Sequence, residues 1–150
     1  MFGKNRGKKL SDYVSSYVVF DLETTGTSPK TEAIIEISAL KVVDGKVVDT
    51  FSTLVNPEKP ISPGATAVNG ITDDMVKNEP TLDIVLPQFN EFIEEYILVG
   101  HNIHCFDMKF IWKAAEALFG QTISKNTNLS TSANNIGTAL SNFGSGIQTF

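Results

Sequence analysis

Two carboxylates, Asp21 and Glu23, stand two positions apart at the end of a short apolar run. The run from Tyr17 to Leu22 is rich in β-branched and aromatic residues, which is typical of a buried strand. Side chains two apart on a strand share one side, so Asp21 and Glu23 are predicted to lie together while Leu22 enters the core. Carboxylates that close repel each other unless a cation neutralises them, so the pair predicts a site for Mg²⁺ or Mn²⁺. The alternative is that both are simply solvated at a strand end.

A third carboxylate, Asp107, closes the segment His101-Asn102-Ile103-His104-Cys105-Phe106-Asp107. The apolar run from Ile97 to Gly100 ahead of this segment predicts a short central strand, and Ile103 to Phe119 is predicted to form a long helix. Asp107 would then lie in the first turns of the helix. The face that it occupies would be shared with Ile111, Ala114 and Leu118.

The elements between these two segments predict an α/β fold. Ile34 to Val43 and Val47 to Val55 flank Asp44-Gly45, which is a strong hairpin signal, so three sequential antiparallel strands are expected. Residues 56–70 contain several prolines and predict a loop with one helical turn. Thr72 is predicted to cap a short helix after that loop.

A longer helix is predicted after Thr81, which follows Pro80 and is expected to cap it. Pro87 predicts that the regular part of this helix starts later. Apolar residues recur at steps of three and four, which is typical of one buried helical face, at Leu82, Val85, Phe89, Phe92 and Tyr96.

The composition excludes several classes of protein. A chain of 150 residues that is 41% hydrophobic can form one domain with its own core. Its net charge of −5 does not favour broad adhesion to nucleic acid, although it suits a site that concentrates divalent cations. Cys105 is the only cysteine, so an intrachain disulfide is excluded and a reducing, cytoplasmic location is expected. No apolar run is long enough to span a membrane, so no membrane partner is expected.

The two ends of the chain differ from its middle. Residues 1–16 are polar and basic and predict a flexible arm. Residues 121–150 contain Lys125 as their only charged residue and predict a divergent polar tail. Apolar residues between Leu129 and Ile147 step by four and three, so one amphipathic helix is an open interpretation of the tail.

Two segments resemble the signature motifs of an enzyme family. Phe20-Asp21-Leu22-Glu23-Thr24-Thr25-Gly26 resembles the first motif of the DnaQ-like, or DEDD, 3′-5′ exonucleases, and His101 to Asp107 resembles the second. Ile34 to Ala39 and Asn69 to Thr72 are also similar to that family. The resemblance covers residues 17–120, and the family includes the proofreading exonuclease of bacterial DNA polymerase III. It implies an α/β, ribonuclease H-like mixed sheet flanked by helices and incomplete at the C-terminus.

The resemblance also implies a two-metal mechanism. Asp21, Glu23 and Asp107 would be the catalytic and metal-ligating carboxylates that help to hold two Mg²⁺ or Mn²⁺ ions about 4 Å apart. One ion would activate water and the other would stabilise the leaving oxygen, so that a nucleoside 5′-monophosphate is cut from a 3′ end. Substrate contacts are implied at Thr24, Thr25, Gly26, Asn69, His101, Asn102 and Phe106. For Asn102 and Phe106, a polar residue at a helix start and a core aromatic are equal alternatives.

The family's third motif, a His followed five residues later by an Asp, has no match in this chain. The only histidines are His101 and His104, and no Asp follows Asp107. The missing His would be the general base and the missing Asp a metal ligand, so impaired activity is expected. Three explanations are open: a truncated or frame-shifted chain, a degenerate member that binds without cutting, or a second chain that supplies the pair.

Several functions follow from these interpretations. The resemblance implies DNA 3′ ends as the substrate, and RNA is not excluded because nothing in the sequence distinguishes a 2′-hydroxyl. It also implies a DNA polymerase as a partner. The alternative function is a catalytically silent module that binds nucleic acid or a polymerase, and a third is a structural domain whose tail helix docks to a partner.

Overall fold

The computed structural model describes residues 14–125 and 147–149. The strands are β1 (Tyr17–Thr24), β2 (Ile34–Val43), β3 (Lys46–Leu54), β4 (Ile97–Gly100) and β5 (Ile147–Thr149). The helices are α1 (Pro63–Asn69), α2 (Asp73–Val76), α3 (Leu82–Ile93) and α4 (Asp107–Lys125). The strands form one mixed sheet in the order β3-β2-β1-β4-β5, so the predicted α/β architecture is confirmed. Within the two described ranges, no helix has the length and apolar character needed to cross a membrane.

The first half of the sheet is the predicted antiparallel meander, in which β1 pairs with β2 and β2 with β3. At the β2–β3 turn, Asp44 and Gly45 both have positive φ, at 49° and 74°, which is the turn conformation that matches the twist of paired strands. Gly45 N–H donates to the Ser15 carbonyl, and Asp44 N–H donates to the Ser16 hydroxyl. The last residues of the predicted arm are therefore attached to this turn.

The second half of the sheet is parallel. After the segment that contains α1, α2 and α3, β4 returns beside β1 and runs in the same direction. β5 then pairs parallel with β4. The N-terminal half of β1 is consequently paired on both sides, and its C-terminal end extends beyond the last residue of β4.

Of the two buried apolar clusters among the described residues, the larger fills one face of this sheet. Alternate residues of β1, among them Phe20, point toward α3 and α4 and are buried. The Phe89 ring of α3 lies 5.4 Å from the Phe20 ring and 5.5 Å from the Phe51 ring of β3. From α4, Met108 and Ile111 are fully buried in the same cluster. Each such side chain contributes about 1.5–3 kcal/mol by leaving water, so the core fixes both helices against β1.

The predicted boundaries of the last helix were wrong at both ends. α4 begins at Asp107 rather than Ile103, because residues 101–106 form a separate turn. In that turn Asn102 has a φ of 52°, and its carbonyl accepts hydrogen bonds from the N–H groups of Cys105 (2.9 Å) and Phe106 (3.2 Å). At the other end, the helix continues past Phe119 to Lys125, since a single glycine costs a helix only about 1 kcal/mol.

Two details of α3 also differ from expectation. Pro87 lies inside the helix instead of ahead of its regular part. The proline removes the hydrogen bond to the Asp83 carbonyl, and both residues are exposed, so water can solvate that carbonyl. Thr81 occupies the predicted N-cap position of α3, and Thr72 that of α2, but neither side chain accepts a capping hydrogen bond from the backbone.

A tail helix was predicted between Leu129 and Ile147. Positions 129–146 of that segment lie outside the described residues. Ile147 itself is the first residue of β5 and pairs with Leu98 of β4. At that position the helix prediction was wrong, because the backbone joins the sheet.

Gly100 ends β4 at a point where a side chain would meet the backbone of β1. A Cβ at Gly100 would lie 2.9 Å from the Phe20 carbonyl oxygen. We expect Gly100→Ala to lower the free energy of unfolding by about 1–3 kcal/mol, because the two strands must move apart. Urea denaturation followed by circular dichroism measures this change.

Gly64→Ala is the matched control, because the nearest atom to a Cβ at Gly64 is Ser62 Oγ at 3.9 Å and α1 gains a better helix former. It is expected to be neutral or stabilising. Equal losses in the two variants would contradict the proposed clash.

Candidate active site

The carboxylates of Asp21 and Glu23 lie on one face of β1, as their spacing predicted. Asp21 is exposed and Glu23 is half-buried, whereas Leu22 between them is buried on the opposite face. This alternation follows from the twofold period of the strand. The end of β1 therefore presents two carboxylates on the face that is not covered by α3 and α4.

Asp107 brings a third carboxylate to the same strand. Its side chain is only 3% exposed, and its Oδ1 accepts a hydrogen bond from Leu22 N–H at 3.3 Å. Because Leu22 lies between Asp21 and Glu23, this bond fixes the start of α4 beside both residues. The helix start also favours a negative side chain electrostatically.

The three charges influence one another. Burial, opposed by hydrogen bonds from the backbone N–H groups of Asp107 and Leu22, and reinforced by repulsion from Asp21 and Glu23, raises the pKa of Asp107 to about 6. Burial also raises the pKa of Glu23, and the nearby charges of Asp21 and Glu36 add to that shift. Burial is the main cause of both shifts, and repulsion between neighbouring carboxylates at this end of the sheet adds to it.

Glu36 is a carboxylate to which sequence reasoning gave no role. It pairs directly with Glu23 across β1 and β2, so the two side chains lie on the same face of the sheet. Ser38 Oγ donates a hydrogen bond to Glu36 Oε1 at 3.1 Å. The Asp44-Gly45 turn sets the register of β2 with β3 but not that of β1 with β2, so no turn signal in the sequence revealed this neighbour.

The donor set fits a hard divalent cation in its chemistry, since all three predicted ligands offer carboxylate oxygens. Within residues 14–125 and 147–149, however, no three side chains of His, Cys, Asp or Glu converge closely enough to form a ready coordination group. Asp107 instead directs one oxygen to Leu22 N–H. A cation would relieve the repulsion that adds to burial in raising the pKa values of Glu23 and Asp107.

The hydroxyl groups of Thr24 and Thr25 are occupied by internal hydrogen bonds. Thr24 Oγ1 donates to the Gly26 carbonyl at 2.7 Å, and Thr25 Oγ1 donates to Glu32 Oε2 at 2.5 Å. Thr25 Oγ1 also accepts a hydrogen bond from Ala33 N–H at 3.0 Å. Both threonines are buried, so these contacts fix the shape of the turn that follows the carboxylates.

Asn69, at the end of α1, reaches the same strand end. Its Nδ2 donates to the Thr24 carbonyl at 3.3 Å, and its Oδ1 accepts from Ile71 N–H at 3.0 Å. Its amide also hydrogen-bonds to Glu23, which lowers the pKa of that carboxyl and offsets part of the rise caused by burial and by neighbouring charge. The structure thus brings Asn69 into contact with Glu23, one of the three predicted ligands.

The remaining predicted substrate residues are less closely connected. His101 and Asn102 are exposed in the turn before α4. The half-buried Phe106 ring packs against Phe110 with a centroid distance of 5.1 Å, which agrees with the alternative of a core aromatic. Among the described residues, no hydrogen bond joins these three side chains to Asp21, Glu23 or Asp107.

Comparison with known proteins adds independent information. The RNase T family model, described as an exonuclease, matches residues 18–138. A DNA polymerase III PolC-type protein of Caldanaerobacter subterraneus subsp. tengcongensis is 46% identical over 125 residues, or 83% of this chain and 9% of its own length. A protein of the same name from Clostridium perfringens is 52% identical over 97 residues, or 65% of this chain and 7% of its own length. The chain thus spans less than a tenth of these relatives.

Solved structures of exonucleases are similar to this chain in fold. Exonuclease X in complex with 5′ overhanging duplex DNA is 37% identical, with a TM-score of 0.55 over 63% of this chain and 52% of that chain. An apo structure of exonuclease I has a TM-score of 0.65 and covers 70% of this chain and 25% of that chain. Its identity is 19%, so it supports the fold alone.

The raised pKa of Asp107 predicts a stability that falls with pH in metal-free buffer. The folded pKa of about 6 lies above the ordinary 3.8, so the folded state keeps a proton that the unfolded chain has lost between these values. Stability therefore falls as pH rises through this window, and above pH 6 the buried charge costs about 1–3 kcal/mol. We expect Asp107→Asn to be more stable than the unmodified protein at pH 8, with a smaller difference at pH 5.5.

Urea denaturation in EDTA at several pH values checks this expectation. Asp44→Asn makes the same chemical change in the exposed hairpin turn and is the matched control. A constant offset between Asp107→Asn and the unmodified protein across the same pH range would contradict the effect.

The backbone of Asn102 supports a second expectation. At a φ of 52°, any residue with a Cβ other than Asn or Asp is strained by about 1–2 kcal/mol, whereas glycine is not. We expect Asn102→Ala to be about 1 kcal/mol less stable than Asn102→Gly, as measured by thermal unfolding. Indistinguishable midpoints would mean that this conformation does not govern the turn.

Proposed function

Since this chain belongs to the exonuclease family of the RNase T model, we propose that its carboxylate group is a two-metal site for hydrolysis at nucleic-acid 3′ ends. The observation that carries the proposal is the hydrogen bond from Leu22 N–H to Asp107, which holds one carboxylate beside two others on β1. Repulsion between neighbouring carboxylates, which adds to burial in raising the pKa values of Glu23 and Asp107, supports a cation site here. Hydrolases that cut phosphodiesters use such carboxylate groups to bind paired metal ions.

Asp21, Glu23 and Asp107 are the proposed ligands of two Mg²⁺ or Mn²⁺ ions. When bound, the ions supply an activated water and a stabilised leaving oxygen. Asp107 holds the start of α4 against β1 by accepting the hydrogen bond from Leu22 N–H. Asn69 orients Glu23 through its amide and holds the Thr24 carbonyl. The backbone from Thr24 to Gly26 and the side chains of His101, Asn102 and Phe106 are proposed to line the strand path.

DNA is the proposed substrate, in a proofreading role. The PolC-type relatives are named as DNA polymerase III proteins, and the similar exonuclease X was solved in complex with 5′ overhanging duplex DNA. These relatives also support a replicative DNA polymerase as the partner and the cytoplasm as the location. RNA is the rival substrate, and a comparison of matched DNA and RNA oligonucleotides decides between them.

The general base is the part of the mechanism that the chain lacks. No His follows His104 and no Asp follows Asp107, so the pair expected in a third motif has no counterpart in this sequence. A general base contributes about 10²–10⁴-fold to such reactions. We therefore propose that a polypeptide of this sequence binds metal and a strand end but cuts slowly, which also keeps a silent binding module as the second candidate function.

Mn²⁺ binding and strand cutting test the two parts of this proposal separately. We expect the protein to bind Mn²⁺, as measured by the loss of the free-ion signal in electron paramagnetic resonance. Asp21→Asn should bind at least about tenfold more weakly, because a charged ligand is lost. Asp44→Asn has the same charge change in the exposed hairpin turn and should bind normally.

Cutting is measured with a 5′-labelled single strand in Mn²⁺ or Mg²⁺. We expect the unmodified protein to shorten this strand at a rate close to that of the Asp21→Asn variant. A metal-dependent ladder that shortens from the 3′ end and vanishes in Asp21→Asn would support the exonuclease class but overturn the proposed impairment. Mn²⁺ affinity that is equal in Asp21→Asn and the unmodified protein would overturn the metal site itself.

A further inference from the structure

Two lysines from separate parts of the chain bind the backbone of the loop that joins β1 and β2, and a third lysine belongs to the loop itself. Lys30 belongs to this loop, and Lys113 of α4 donates a hydrogen bond from Nζ to the Lys30 carbonyl at 2.7 Å. Lys59 donates from Nζ to the carbonyl of the next residue, Thr31, at 2.8 Å. The two ammonium groups thus bind consecutive carbonyls. We call Lys30, Lys59 and Lys113 the lysine patch.

The lysine patch is connected to the carboxylate end of β1 by direct contacts. Lys59 Nζ lies 3.2 Å from Glu32 Oε2, and the same oxygen accepts the Thr25 hydroxyl at 2.5 Å. Thr25 N–H donates to the Ala33 carbonyl at 2.9 Å, which closes the base of the loop. Since Thr25 follows Glu23 by two positions, these contacts lead from Lys59 to the end of β1 that carries the proposed metal ligands.

Most of the positive charge of the patch is available to a partner. Glu32 neutralises Lys59, and hydrogen bonds from the Thr25 hydroxyl and from the Lys59 ammonium group lower the pKa of Glu32, so this carboxylate remains charged. Lys30 and Lys113 are exposed, and within residues 14–125 neither forms an ion pair with a carboxylate. Two uncompensated charges therefore face solvent next to an acidic strand end.

This arrangement matters because the chain as a whole repels phosphate. Its net charge is −5, and the strand end adds local repulsion from Asp21, Glu23 and Asp107. Lysine ammonium groups interact with phosphate as point charges and read no base sequence. They are therefore suited to a backbone that passes with any sequence toward a reacting end.

We propose that the lysine patch binds the backbone phosphates of a single nucleic-acid strand whose 3′ end lies at Asp21, Glu23 and Asp107. The proposal rests on the proposed function and assigns the side from which the strand approaches. Lys30 and Lys113 make the phosphate contacts, and Lys59 holds the loop through Thr31 and Glu32. Binding is independent of sequence and weakens with salt.

The test is the salt dependence of binding to a fluorescent oligothymidylate, measured by anisotropy in Ca²⁺. Each lysine–phosphate contact on a single strand contributes about 0.7 to the slope of log affinity against log salt. We expect the double substitution Lys30→Gln and Lys113→Gln to reduce the slope by about 1.4, which is two such contacts. The basic residues Lys4, Arg6, Lys8 and Lys9 remain in both proteins, so the difference reports on the patch.

A matched control removes two charges elsewhere. Lys46 begins β3 beside the hairpin turn, and the Lys77 ammonium pairs with Asp74 at 2.9 Å, so Lys46→Gln with Lys77→Gln should leave the slope unchanged. Circular dichroism and thermal unfolding verify that both double variants fold. Asp21→Asn separates this proposal from the proposed function, because it should lose Mn²⁺ affinity while keeping the salt slope.

Three outcomes would overturn the proposal. One is an unmodified protein that does not bind the oligonucleotide at low salt. Another is an equal slope for the patch variant and the unmodified protein. The third is a polyglutamate competitor that binds the patch as tightly as the oligonucleotide does, which would assign it to an acidic peptide.

Discussion

The hydrogen bond from Leu22 N–H to Asp107 links the two halves of the molecule that carry the site. It joins a helix start to a strand 85 positions earlier in the sequence and holds a nearly buried carboxylate beside two others. The raised pKa of Asp107 records the cost of that arrangement, since burial and neighbouring charge both disfavour the ionised form. The core beneath β1 makes the cost tolerable, because buried apolar residues on both sides of Asp107 fix α4 whether or not the charge is neutralised.

Local rules of sequence were sufficient for most of the sheet and for two of the three carboxylates. The twofold period of β1 predicted the shared face of Asp21 and Glu23, and the Asp44-Gly45 turn predicted the meander. The approach of Asp107 was predicted only through resemblance, because its contact with Leu22 depends on tertiary packing. The predicted start of α4 was wrong because Asn102 adopts a left-handed backbone conformation, which the spacing of apolar residues does not reveal.

The site also has features that become visible only when strands and loops are assembled. Glu36 faces Glu23 through strand register, and Asn69 reaches Glu23 from a separate helix. The lysines that meet on the β1–β2 loop come from three distant positions and would not be grouped by inspection of the sequence. A single short region thus combines carboxylates suited to cations with ammonium groups suited to phosphate, and Glu32 links the two through its contacts with Thr25 and Lys59.

The parallel pairing of β1 with β4 has a consequence for the order of folding. Asp21 and Glu23 belong to a meander of neighbouring strands, whose contacts close short loops, whereas Asp107 arrives only after the chain has closed a loop of more than 80 residues. Contacts between distant positions form late because the entropy of loop closure must be overcome first. We therefore expect the three carboxylates to come together in the last folding steps. An ion that binds all three carboxylates stabilises an arrangement absent from earlier states, so it slows unfolding far more than it speeds folding.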